Sequence, residues 1–445
     1  SLTWVINAYL ISFGSFLLMA GRLGDLIGRK RVFLSGVLLF TLASAVCGLA
    51  QDQAVLIAAR FVQGAGGALS VSVILAIIVT EFPHPLERAK AMSAYMFVVV
   101  SGGSIGLLAG GVLTQAINWH WIFFINLPIG AATLLLGKRL IQENEGIGLR
   151  RGVDVLGSVL VTVALMVGVY AIVEVPRYGW SSPHTLVFGA AALALLAAFL
   201  RVQATVANPI MPLRILRLRG LIGSSAVRGF LVTGMFTTFF LGALYLQQVL
   251  HYGAVATGLA FLPMTLTVAV LSLGVTARIV ARIGPVRTLV PGLLSCAAAL
   301  ALLSTAGVHA SYFPTVFLAY FLLGLGAGTS FMPLLTIAMA DVPVRDAGLG
   351  SGIVNVSMQV SAALGLAVLS TIATDHTRSL TAHGQPLASA LTGGYHLAFA
   401  IAAAFVAVGV LVAIVVLRPP RARDAVAEHP LQPRARDAAI EPAPA

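Results

Sequence analysis

The chain has 445 residues, of which 59% are hydrophobic and only 9% charged, with a mean hydropathy of +0.98. A soluble domain is near half apolar and about a quarter charged, so a string of soluble domains is excluded. The net charge of +12 would suggest nucleic acid in a soluble protein; here it matters where the 27 Lys and Arg residues fall relative to apolar runs.

A helix crossing about 30 Å of hydrocarbon needs roughly 20 apolar residues. In chain order such runs occupy 2–20, 32–50, 54–79, 91–115, 121–140, 154–173, 185–202, 222–249, 256–281, 288–306, 313–340, 348–373 and 396–417. They are apolar all round, and the ten-residue alternation of a membrane barrel is absent. An all-α membrane protein is predicted. Cys47 and Cys296 lie inside separate runs, which gives no disulfide framework, and neither a metal site nor a cofactor is expected.

Alternate loops differ in charge. All Lys and Arg residues except Arg60, Arg177 and Arg378 fall in one set, with Arg228 counted among them. The positive-inside rule puts that set in the cytoplasm. The basic excess is thus a topology signal, and no nucleic acid is expected. The cell (inner) membrane and a cytoplasmic C-terminus follow. Thirteen spans with a cytoplasmic tail put Ser1 outside, although residues 1–20 lack the basic region and cleavage site of a signal peptide. One more helix before Ser1 is therefore expected, which makes the spans 13 of 14.

The chain also repeats itself. Arg22, Gly28 and Arg31 of GRLGDLIGRKR match Arg278, Gly284 and Arg287 of ARIVARIGPVR at one offset. Ala59, Phe61, Gly64 and Gly66 match Ala319, Phe321, Gly324 and Gly326 at nearly the same offset. The two loops are eight helices apart, so the repeats are parallel, an architecture that places substrate between the halves at mid-membrane. The expected organisation is an N-terminal bundle over 1–141 and two inserted helices with a cytoplasmic connector over 142–220. A C-terminal bundle over 221–417 and a disordered tail over 418–445 complete it.

These residues resemble the major facilitator superfamily, in particular its fourteen-helix drug:proton antiporter branch. The signature loop G-x-L-x-D-x-x-G-R-[KR] is matched by Gly21, Leu23, Asp25, Gly28, Arg29 and Lys30. A second motif is matched by Arg60, Gln63, Gly64 and Gly66. GGSIGLLAGG over 102–111 is similar to the antiporter motif, with Leu107 where the family has proline, and Trp119-His120-Trp121 stands where it has W-R-W. The resemblance implies two six-helix bundles plus two inserted helices, and export of small amphipathic or hydrophobic compounds by alternating access, coupled to protons. It also implies a coupling acid on the helix before Ser1.

Particular residues acquire expected roles. Arg60, about six residues into its span, costs roughly 2.5 kcal/mol or more unless paired or wet. It is either a snorkelling side chain or, as the resemblance implies, a relay partner of the coupling carboxylate. Asp25 could receive the N-terminus of the helix beginning near Gly348, a cytoplasmic latch with Gly21, Gly28, Arg29 and Lys30, and Arg29 could pair with Glu81 or Glu87. Gly102, Gly106, Gly110 and Gly111 form a small-residue ladder expected to bring helices close. Gln63, Tyr245, Asn355 and Gln359 are candidates for the substrate cavity.

Other functions are weighed against this one. A membrane acyl- or glycosyltransferase needs clustered His, Asp or Glu at one face, and an ATP-driven pump needs a P-loop; the sequence contains neither pattern. An enzyme is not expected. A facilitator importer, a uniporter or a non-transporting homologue remains the alternative. The partners expected are a small amphipathic substrate, the proton and the bilayer, with the chain acting as a monomer.

Overall fold

A computed structural model describes residues 2–417 apart from 145, 147, 149–153, 207–208, 210 and 344–345; the predicted tail lies outside the described residues. Thirteen helical rods coincide with the thirteen runs. They are α1 (Leu2–Ile27), α2 (Arg29–Leu49), α3 (Gln53–Glu81), α4 (Pro85–Ala116), α5 (Trp121–Leu140), α6 (Val155–Val173) and α7 (Pro183–Thr205). The second half holds α8 (Arg219–Val249), α9 (254–283), α10 (Pro285–Leu303), α11 (Tyr312–Ala340), α12 (Ala347–Ala382) and α13 (Leu387–Val416). Among the described residues, eleven are found long and apolar enough to cross a membrane. α4 spans 32 residues, and α9 is interrupted by a π-helical stretch over Leu271–Val275.

Local chemistry sets the ends. Asp52 caps α3 by accepting from the Val55 amide at 2.9 Å, Asp154 caps α6 through the Gly157 amide, and Ser182 caps α7 through the Thr185 amide. Pro85, Pro183 and Pro285 sit in first turns, where no helical N–H bond is lost. The region 374–395, between the predicted spans 348–373 and 396–417, is mostly helix. α12 continues to Ala382 and α13 begins at Leu387. Threonine hydroxyls bonded back to carbonyls and the Asp375–Arg378 pair at 3.8 Å accompany the extension.

The repeat is visible in three dimensions. Gly28 and Gly284 both break the chain with positive φ, 103° and 87°, and both immediately precede a helix. Gly66 packs on Gly36 of α2, and its counterpart Gly326 packs on Gly292 of α10. Thus α1–α5 correspond to α9–α13. The halves meet along two equivalent seams, α1 against α12 and α4 against α9 and α11. α6 and α7 pair with each other, and α6 lies on α1.

Arg228 is corrected here. It belongs to no loop: it lies inside α8 and is only 2% exposed. A single charge does not break an apolar run, and sorting charges by loop counted as a loop residue one that lies within a helix.

Candidate functional site

At one end of the bundle α1 crosses α12 closely enough that the helices touch through backbone. A Cβ built on Gly21 would collide with the Gly348 carbonyl, and one on Gly348 with the Gly21 carbonyl. Only glycine permits this approach. The Asp25 side chain, fully buried, then reaches the first turn of α12. Its two carboxylate oxygens accept from the amides of Gly348 and Leu349, each at 2.9 Å. These are orphan donors of a helix N-terminus, where a carboxylate is favoured.

Arg29 turns back on Asp25 with Nη2 at 3.2 Å. Among the described residues neither Glu81 nor Glu87 pairs with it, and Glu81 instead accepts from the Gln142 amide at 3.0 Å. That expectation is corrected. Arg29 is buried only four residues beyond Asp25, just past the break at Gly28, so the shorter path wins. Asn144 accepts from the amides of Arg29 at 3.0 Å and Lys30 at 3.5 Å, closing the N-terminus of α2 beside Gly28.

A second ion cluster reinforces the crossing. Asp346, just before α12, receives Arg22 of α1 at 3.4 Å and Arg214 of the connector at 2.9 Å. Sequence reasoning missed Asp346, Arg214 and Asn144, because nothing local marks partners brought from so far along the chain. Residues from α1, the connector and α12 thus meet at one end and hold the two halves together there.

Toward the other end Arg60 is half-buried and bound. Its Nε donates to the Val5 carbonyl at 3.1 Å and its Nη1 to Gln63 Oε1 at 2.6 Å, with the guanidinium 4.3 Å from the Tyr9 ring centre. Gln63 donates onward to Ser44 at 2.9 Å, and Asn126 donates to the same hydroxyl at 3.0 Å. The chain Arg60–Gln63–Ser44–Asn126 therefore links α3, α2 and α5. Gln63, expected at the cavity, is 1% exposed inside the N-terminal bundle. Replacing Gln63 with Leu should leave the Arg60 and Ser44 groups short of a partner, at about 1–3 kcal/mol. A melting temperature in detergent lower by several degrees is expected; an unchanged one would count against the network.

The remaining candidates are dispersed. The Tyr245 hydroxyl donates to the carbonyls of Ala306 at 3.2 Å and Gly307 at 2.7 Å, fastening α8 to the turn after α10. Asn355 donates to the Ser351 carbonyl within α12. Gln359 lines a cavity of about 120 Å³ with Leu10, Gly14, Val169 and Phe236. A larger apolar cavity, about 490 Å³, lies between α1, α3, α6 and α7 and is walled by Trp4, Phe61, Tyr170 and Phe188. The glycine ladder is corrected as well. Among the described residues, a Cβ on Gly102, Gly106 or Gly110 would meet no atom within 4 Å, so no described helix packs tightly there. Spacing shows that a helix could come close, not that one does. Gly111 lies in the same helix, and its surroundings fall outside the described residues.

Two bundles related by an internal repeat and clasped across their seam at one end define a secondary transporter of the parallel-repeat type. The chain belongs to the Major Facilitator Superfamily, whose family model matches residues 1–366. It is 39% identical over 422 residues to the puromycin resistance protein pur8 of Streptomyces alboniger, covering 93% of this chain and 82% of that one. It is 33% identical to the methylenomycin A resistance protein of Streptomyces coelicolor, covering 88% and 81%. Among solved structures, the human organic anion transporter MFSD10 shares the fold at a TM-score of 0.63 and 18% identity, over 92% of this chain and 83% of that one. The chain is a multi-pass membrane transporter, not an enzyme, and its drug-resistance relatives agree with the fourteen-helix drug:proton antiporter branch.

Proposed function

We propose that the protein exports small amphipathic or hydrophobic compounds by alternating access, driven by proton entry, as a monomer in the cell membrane with its C-terminus in the cytoplasm. The observation that carries this reading is the clasp of Asp25 on the α12 N-terminus. It joins the two halves at the end where the basic loops gather, as an outward-facing exporter needs. The resistance and export names of the relatives support the direction of transport.

Within this reading Arg60 is the proton-coupling relay, fixed by Gln63 and able to favour the ionised form of a nearby carboxylate. Gly21, Asp25, Gly28, Arg29 and Lys30 form the cytoplasmic gate. Gln359, which lines an interhelical cavity, is the best placed of the substrate candidates. The test is purified protein in proteoliposomes with a panel of dyes. An imposed proton gradient should speed dye movement at least about fivefold, and a protonophore should abolish the gain. Dye movement indifferent to the gradient would leave a facilitator.

A further inference from the structure

The third turn of α8 carries a cation that the latch and the relay do not use. Arg228 is 2% exposed, and its Nη2 has no hydrogen-bond partner among the described residues. No described carboxylate forms an ion pair with it; the guanidinium lies 5.7 Å from the ring centre of Phe331 of α11. Ser225 stands one turn earlier on the same face, is 7% exposed, and has a hydroxyl that is likewise unpartnered. Tyr95 of α4, in the opposite half, lies within electrostatic reach. One turn before it Met92 touches Thr336 of α11, so this is the seam between the halves.

An unpaired guanidinium is costly to bury, and apolar residues of similar volume would pack there without that cost. The arrangement has a use if the group is buried only while the seam is closed. Parting α4 from α11, beside α8, would uncover a guanidinium and a hydroxyl about one helical turn apart on an apolar wall. Arginine's planar fork presents parallel donors to two oxygens, the geometry of a carboxylate. We propose that Arg228 and Ser225 form an acid-accepting subsite that selects amphipathic compounds bearing a carboxylate. This rests on the export reading above and narrows its substrate class.

The test compares an apolar dye carrying one carboxylate with its methyl ester, in proteoliposomes of zwitterionic lipid. R228M should raise the half-saturating concentration of the carboxylate dye about tenfold or more while leaving the ester within twofold. R228K should fall between, and S225A should shift the acid alone by a few fold. Equal loss of both dyes, or no change in either, overturns the proposal, as does a wild type that moves only the ester. If R228M does not accumulate, R228K decides by the same comparison. A wild type that moves neither dye ends the transport reading instead. Saturable binding of the carboxylate dye, followed by fluorescence anisotropy and weakened in R228M, then decides the subsite separately. Adding phosphatidylglycerol should leave the acid preference intact; its loss would assign the subsite to a lipid phosphate and overturn the substrate assignment.

Discussion

Asp25→Asn should cut dye efflux by an order of magnitude or more while membrane abundance stays near wild type. The carboxylate accepts two backbone amides of α12 and the Arg29 guanidinium at once. An asparagine offers one oxygen and one NH2, so at least one of these donors loses its acceptor and faces the NH2 instead. Losing one hydrogen bond to a charged group costs about 1.5–3 kcal/mol. The amides belong to the opposite half, so this loss falls on the clasped state and not on either half alone. At 1.4 kcal/mol per factor of ten, the ratio of clasped to open states falls roughly ten- to a hundredfold. A cysteine placed at the buried seam residue Met92 should then react faster with an impermeant thiol reagent from the cytoplasmic side. Unchanged efflux together with unchanged labelling would remove the latch from the mechanism.

Gly348→Ala should be nearly as damaging, for a steric reason. The added methyl would overlap the Gly21 carbonyl and stand 2.7 Å from the Asp25 carboxylate. Both are anchored, one by backbone and one by the clasp, so neither can rotate aside as a side chain would. Overpacking in a well-packed interior costs about 1–3 kcal/mol and often more. Gly350→Ala is the matched control two residues on. The atoms nearest its methyl belong to side chains, Val342 at 3.0 Å and Met339 at 3.6 Å, which can shift. Efflux should drop at least about tenfold in the first variant and stay within twofold in the second. Similar rates in the two would mean that the α1–α12 crossing need not close tightly.

The thirteen spans, the internal repeat and the reach of Asp25 to α12 were all legible in the sequence, each for a local reason. Apolar length marks a span, repeated glycines mark equivalent turns, and an acid in a glycine-bounded loop suits a helix N-terminus. What escaped was long-range. Asp346 gains its meaning from Arg22 and Arg214, which no short motif joins to it. Arg228 was hidden because hydropathy averages over a window in which one arginine hardly registers. The glycines of α4 misled for the converse reason, since small residues advertise a contact that depends on a neighbour. Gln63 and Tyr245 read as cavity groups because polarity in a span has two explanations, and only partners separate them.

α6 touches both halves, but unequally. It packs broadly along α1, where the buried Glu174 at its outer end accepts from Asn7 at 3.3 Å, and only sparingly on α12. Between the turn at 175–181 and the outer part of α12 there is instead an open space of about 490 Å³, lined by Tyr178, Ser370, Thr374 and Asp375. The extra hairpin is thus fastened chiefly to the leading half: under the rocking of alternating access proposed above, α6 and α7 would travel as passengers with α1, and slippage would fall on their thin border with α12.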